Sequence, residues 1–217
     1  MHLLFDFDGT LVNSFNCVMK KTMVLAEEFG LRKIQEDEIE GLRDLSSTEV
    51  IKFFKVPIYR IPILISQMRK HLLHEMPTLI PVAGIQQMLE QLYNEKCTLG
   101  ILTSNSVENV ERWLGINNMR HFFTFIHAES KCFSKKYLIK KTLVKYKIEK
   151  SKAIYIGDET RDIDAAKKNN IIAVAVTWGY NSEKALLKYE PSFVARNPND
   201  LSAFLMQAKQ GVSKNEE

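Results

Sequence analysis

The chain has 217 residues, 45% of them hydrophobic and 26% charged, with 30 Lys and Arg against 26 Asp and Glu. This composition suits one large or two small folded units and excludes a disordered chain, and a formal charge of +4 falls well short of what nucleic-acid binding asks for. Cys17, Cys97 and Cys132 are odd in number and far apart, so they form neither a disulfide framework nor a metal knuckle and point to a reducing compartment. No apolar run approaches the ~18 residues of a membrane span. The N-terminus reaches Asp6 without the basic and apolar regions of a signal peptide. The expectation is a cytoplasmic protein, monomer or homodimer, with no nucleic-acid or membrane partner.

In chain order, residues 2–6 predict a buried strand, and Phe15, Val18, Met19, Met23, Leu25 and Ala26 recur at helical spacing over 14–29, with Gly30 closing the helix. Residues 34–79 read differently. Short helical patterns over 36–42, 47–54 and 61–74 are broken by Pro57 and Pro62, and no strand intervenes. Ser46 with Glu49 three residues on predicts a capping box. This block reads as a second, all-helical domain inserted after the first strand, and the division expected is an insert of 15–79 in a core of 1–14 and 80–217. From Gly84 the rhythm alternates: helices over 85–94, 107–114, 135–146, 160–169, 182–189 and 201–209, and strands over 98–102, 123–127, 153–156, 171–177 and 192–195. Unbroken apolar strands such as Ala153-Ile154-Tyr155-Ile156 are what a parallel sheet covered on both faces requires. The fold class expected is a doubly wound, mostly parallel α/β sheet with its site at the carboxyl ends of the strands. The basic residues between Lys131 and Lys152 read as a solvated helix face, and 213–217 as a frayed tail.

The residues that follow the strands carry the chemistry. After the first come Asp6 and Asp8, two acids one residue apart, an arrangement that is costly unless a cation lies between them. After Leu99-Gly100-Ile101-Leu102 come Thr103, Ser104 and Asn105, and after Ile154-Tyr155-Ile156 come Gly157, Asp158 and Glu159, with Asp162 one turn on. Lys135 opens the helix between these last two strands. In a parallel sheet all of them converge at one edge, and their oxygen-only ligand set favours Mg²⁺. The backbone N–H groups after Thr103 suit a phosphate.

Asp6-Phe7-Asp8-Gly9-Thr10-Leu11-Val12, Thr103, Lys135 and Gly157-Asp158-x-x-x-Asp162 resemble the four ordered motifs of the haloacid dehalogenase superfamily of phosphotransferases, above all its phosphoglycolate phosphatase-like members with a helical cap. The resemblance implies a Mg²⁺-dependent hydrolase of small phosphorylated metabolites. In it Asp6 is the nucleophile that forms an aspartyl-phosphate, and Asp8 is the acid and base and lends its carbonyl to the metal. Thr103 and Lys135 hold the phosphoryl oxygens, while Asp158 and Asp162 serve the metal. Substrate contact is expected from Gly9, Thr10, Ser104, Asn105 and, in the cap, Arg43. The chain departs from the family pattern at Asn13, where the family often has Asp, and at Lys135-Lys136, where it commonly has Lys-Pro. Both lysines are candidates; counting back from Asp158 favours Lys135.

Plainer readings stand beside these. Glu159 suits a first-turn capping acid, His71 and His74 lack partners for a metal site, and Trp178-Gly179-Tyr180 suits loop packing. The rival functions are a phosphosugar mutase built on the same motifs and, in another class, a phosphoacceptor signalling domain or inactive scaffold.

Overall fold

A computed structural model describes residues 1–128 and 135–214. Cys132, Lys131, and the Phe133-Ser134 part of the lysine motif lie outside them, as do 215–217 of the expected tail. Six strands form one sheet: β1 (His2–Phe5), β2 (Thr98–Thr103), β3 (Phe123–Ala128), β4 (Ala153–Gly157), β5 (Ile172–Val176) and β6 (Phe193–Ala195). They lie in the order β3-β2-β1-β4-β5-β6, every neighbouring pair parallel. The order reverses around β1, which places the ends of β1, β2 and β4 side by side at the crevice where such sheets take ligands.

Alternation along each strand divides the core in two. Leu3, Phe5, Leu99, Ile101, Ile154, Ile156, Val174 and Val176 face one side, where α5 (Ile85–Asn94), α6 (Val107–Ile116) and α10 (Pro198–Lys214) cover them. Leu4, Leu102, Tyr155, Ala173 and Ala175 face the other, under α7 (Lys135–Lys145), α8 (Thr160–Lys167) and α9 (Glu183–Leu187). With both faces buried, no strand of the interior can show a polar alternation, which explains the continuous apolar runs.

Between β1 and β2 the chain runs through α1 (Phe15–Glu28), α2 (Ile39–Leu42), α3 (Ser47–Phe53) and α4 (Ile61–Glu75). These helices have an apolar cluster of their own, with Ala26, Ile34, Leu42 and Phe54 buried at its centre. The insert's ends belong elsewhere: Leu72 and Met76 are buried in the main core, with Cys17, Val18 and Met68 packed against it. The expected capping box forms, the Ser46 N–H donating to Glu49 Oε2 at 2.8 Å and Ser46 Oγ accepting from the Glu49 N–H at 3.4 Å. Among the described residues no helix is long and apolar enough to cross a membrane.

Helix α10 departs from expectation, starting at Pro198 and continuing to Lys214. Asn197-Pro198-Asn199-Asp200 has a loop composition, yet Asn197 Oδ1 accepts the Asp200 N–H at 3.0 Å and proline suits the first helical position. The tail expected from Ser213 is thus helical through Lys214.

Candidate active site

The site begins with how the chain leaves β1. Phe7 is fully buried and meets Trp113 edge-on at 5.3 Å, so its neighbours Asp6 and Asp8 turn the other way, toward the strand tips. The carbonyl of Phe7 then accepts the Leu11 N–H at 2.9 Å, closing a tight turn that Gly9 enters at φ +77°. A side chain at Gly9 would run into the Asp158 carboxylate and the Tyr180 ring.

Asp6 is 3% exposed, and its Oδ2 lies 2.8 Å from Lys135 Nζ. The same ammonium reaches Asp162 Oδ1 at 3.3 Å and the Leu102 carbonyl at 3.4 Å. Burial alone would lower the Lys135 pKa, but the carboxylates of Asp162 and Asp6 hold it above its ordinary value, so it stays a cation. Lys135, rather than Lys136, therefore meets the acids. Thr103 is buried at the tip of β2, with Oγ1 accepting the Asn105 N–H at 2.9 Å. Asn105 in turn donates from Nδ2 to Asp8 Oδ2 at 2.9 Å and accepts from Asn109 at 2.7 Å.

The other oxygen of Asp8 is buried and has no partner among the described residues. Its carboxyl is pushed up to about 6, first by burial and then by the charge of Asp6, with the Asn105 hydrogen bond opposing. A carboxyl poised there can give and take a proton near neutrality. Asp158 accepts from Thr10 Oγ1 at 2.7 Å and from the Tyr180 N–H at 2.7 Å, and burial among like charges raises it well above the carboxylate range. Asp162 is pushed up to about 7, chiefly by burial, with Lys135 pulling the other way and Asp6 adding to the rise. It also accepts the Glu159 N–H at 3.1 Å, across the first turn of α8.

Asp6, Asp158 and Asp162 each bring one carboxylate oxygen within 4.8 Å of the others. Three buried acids this close repel one another, which adds to the effect of burial in holding Asp158 and Asp162 above the ordinary carboxylate range. An oxygen-only set of this charge fits a hard divalent cation such as Mg²⁺.

Some expected residues take other work. Thr10 is fully buried on Asp158, and the Gly9 and Thr10 N–H groups are bonded to Val12 and Phe7 carbonyls, so both N–H groups are already satisfied within the turn. Arg43 is likewise committed, since its guanidinium donates to the Gly179 carbonyl at 3.0 Å, Thr177 at 3.3 Å and Tyr180 at 3.4 Å. It joins the insert to the loop after β5, and planar donors satisfy carbonyls in place of a ligand. The same seam includes Asn181, whose Nδ2 donates to the Arg43 and Leu45 carbonyls while its Oδ1 accepts the Thr160 N–H at the start of α8. Sequence reasoning missed Asn181; its position four residues beyond Thr177, in a loop that follows a buried strand, was the available signal. The loop also steadies the acids, Trp178 Nε1 donating to the Thr10 carbonyl at 3.0 Å and Gly179 lying too close to Asp158 for a side chain. Loop packing is thus what Trp178-Gly179-Tyr180 does. Glu159 pairs with Arg161 and accepts from Ser47 of the insert at 2.7 Å. His71 meets Cys17 Sγ at 3.5 Å.

Above the acids lies a cavity of about 630 Å³. Asp8, Ser104, Asn105 and Lys135 form its core side, and Ser46, Ser47, Thr48 and Arg69 come from the insert.

Residues 3–176 match the family described as haloacid dehalogenase-like hydrolase. The chain is 33% identical over 199 residues to a phosphoglycolate phosphatase of Synechococcus elongatus, covering 92% of this chain and 94% of that protein. It is 25% identical to the pyrophosphatase PpaX of Listeria welshimeri, covering 94% and 95%. A haloacid dehalogenase-like family hydrolase of Streptococcus pneumoniae superposes with a TM-score of 0.78 at 23% identity, covering 94% of this chain and 97% of that one.

Proposed function

The chain belongs to the haloacid dehalogenase-like hydrolases, and we propose that within this family it is a Mg²⁺-dependent phosphomonoesterase acting on a small phosphorylated metabolite. The observation that carries this reading is the convergence of Asp6, Asp8, Thr103, Lys135, Asp158 and Asp162, from four separate segments, on one edge of the sheet.

In this reading a carboxylate oxygen of Asp6 attacks phosphorus as the ester P–O bond breaks, giving an aspartyl-phosphate. Asp8 gives its proton to the departing alkoxide oxygen and so releases an alcohol. It then takes a proton from the water that attacks the aspartyl-phosphate, freeing inorganic phosphate and restoring Asp6. Lys135 and the Thr103 hydroxyl hold the phosphoryl oxygens, and Lys135 keeps Asp6 aligned while offsetting its charge. Mg²⁺ bound by Asp6, Asp158, Asp162 and the Asp8 carbonyl would supply positive charge against the negative charge that builds on the phosphoryl oxygens. The insert, residues 15–79, acts as a cap domain over the core of 1–14 and 80–217, excluding water and shaping the leaving-group pocket.

Phosphate release from a panel that includes phosphoglycolate and pyrophosphate, with and without Mg²⁺, tests the reading. Asp6→Asn is expected to lower kcat by about 10⁴-fold or more while the fold persists. Retention of most activity would remove Asp6 as the nucleophile, and isomerised sugar phosphate in place of free phosphate would turn the assignment to a mutase.

A further inference from the structure

We infer that the alcohol freed by this enzyme has an apolar body and, beyond it, a second anionic group received by Lys136. The inference rests on the phosphatase reading and extends it to the leaving group. Helix α4 presents Ile61, Ile65, Met68 and Leu72 to the cavity, at steps of four, three and four residues, which is one face of a helix. Ile51 of α3 continues that wall. Ile61 and Leu72 are already buried, so the surface left to a leaving group is that of Ile65, Met68 and Ile51. These offer it no hydrogen bond, and apolar area left in water is unfavourable in proportion to its extent. A two-carbon hydroxy acid has no apolar body to cover that remaining surface. The volume of about 630 Å³ falls within the ~300–1,000 Å³ of sites that enclose a whole small molecule rather than a phosphoryl group alone.

The opposite wall is cationic, and its charges differ in what they already hold. Lys135 is taken by Asp6 and Asp162, Arg161 by Glu159, and Lys168 by Asp164 at 2.7 Å. Arg69, on α4 itself, reaches across to donate to the Ser104 carbonyl at 2.9 Å. Lys136 lines the same cavity and makes no ion pair among the described residues. One residue along a helix is a rotation of about 100°, which carries Lys136 away from the nucleophile that Lys135 meets and onto the cavity wall. An apolar stretch with a free ammonium across from it accommodates an amphipathic leaving group that ends in a carboxylate or phosphate.

Three esters of primary alcohols separate the contributions: phosphoglycolate, benzyl phosphate and 4-carboxybenzyl phosphate. The wild-type enzyme is expected to show kcat/KM rising in that order, about tenfold at each step. Lys136→Met should lower kcat/KM for 4-carboxybenzyl phosphate about tenfold more than for benzyl phosphate, through KM, with Lys136→Arg restoring most of the difference. Ile65→Ser should lower both benzyl esters relative to phosphoglycolate; unchanged thermal unfolding confirms that each variant folds. Preference of the wild type for phosphoglycolate over benzyl phosphate, or an equal Lys136→Met effect on all three esters, would overturn the inference while leaving the phosphatase reading intact. No Asp6-dependent phosphate release from any of the three, or from the wider panel, would overturn both.

Discussion

The two walls of the cavity are built on opposite principles. On the core side, buried carboxylates, a lysine and an amide are tied to one another: Asp6 to Lys135, Lys135 to Asp162, Asp158 to Thr10 and the Tyr180 N–H, Asp8 to Asn105. On the insert side, aliphatic residues of α4 carry no such commitments. Burying like charges together is unfavourable, so the positions of the acids must be over-determined by the scaffold, and small geometric errors there are expensive. An apolar wall is held by shape alone and tolerates change. The difference sets a tightly determined group of acids on the core against an adaptable aliphatic face on the insert.

The largest effect that would sharpen this contrast is loss of Lys135. Lys135→Ala leaves Asp6 and Asp162 facing one another without their cation, and kcat is expected to fall by about 10³-fold with a loss of about 3 kcal/mol in stability. Urea unfolding and single-turnover phosphate release measure the two separately. A fall in activity alone, with stability unchanged, would show that the acids do not depend on the ammonium for their burial.

Next comes Gly179→Ala, which touches no substrate atom. Its new methyl group has no room beside Asp158, so a loss of about 2 kcal/mol and an activity reduced by about 100-fold are expected. Weaker binding of Mg²⁺, read as a smaller rise of Tm on adding the ion, should accompany it. An unaltered Mg²⁺ response would mean that the loop after β5 does not position Asp158.

A smaller effect concerns pH in metal-free protein. Asp8 sits at about 6 and Asp162 at about 7 in the folded chain, both above the carboxylate's ordinary value near 4. The folded state therefore holds protons that the unfolded chain has released. The stability linked to them is complete below about pH 4 and drains away as pH rises through 6 and 7. Metal-free protein should lose several degrees of Tm between pH 5 and pH 8, and Mg²⁺ should restore more at pH 8 than at pH 5. A flat profile would show that the acids are not strained without the ion.

The smallest effect is expected at the seam. Arg43→Ala removes the guanidinium from three carbonyls of the loop at 177–180 and should raise KM about threefold for every ester, with about 1–2 kcal/mol lost. A selective effect on esters carrying a carboxylate would return Arg43 to substrate recognition. An equal effect on all of them supports its place as a joint between insert and core.

Much of the core was legible before any coordinates. The six strands follow from apolar runs bounded by turn formers, and the buried acids from their place just after those runs, because an acid at a strand tip has few inexpensive explanations. Asn181 and Arg43 were another matter. A polar residue in a loop signals only that the loop is exposed or satisfied, and its partners here are backbone carbonyls and N–H groups, which every sequence possesses. The start of α10 was obscured because Asn197-Pro198 suits both a turn and a helix start, and here Asn197 caps the Asp200 N–H and the helix begins at Pro198.

Residue order alone was enough to establish the α/β architecture and the chemistry available at its edge: periodicity is set by backbone geometry, and the acids, threonine and lysine carry their reactivity wherever they sit. Tertiary packing decided which lysine meets Asp6, how Arg43 and Asn181 join the insert to the loop after β5, and which face of α4 looks into the cavity. Each of these depends on the rotation of one element against another, over distances that no local pattern encodes.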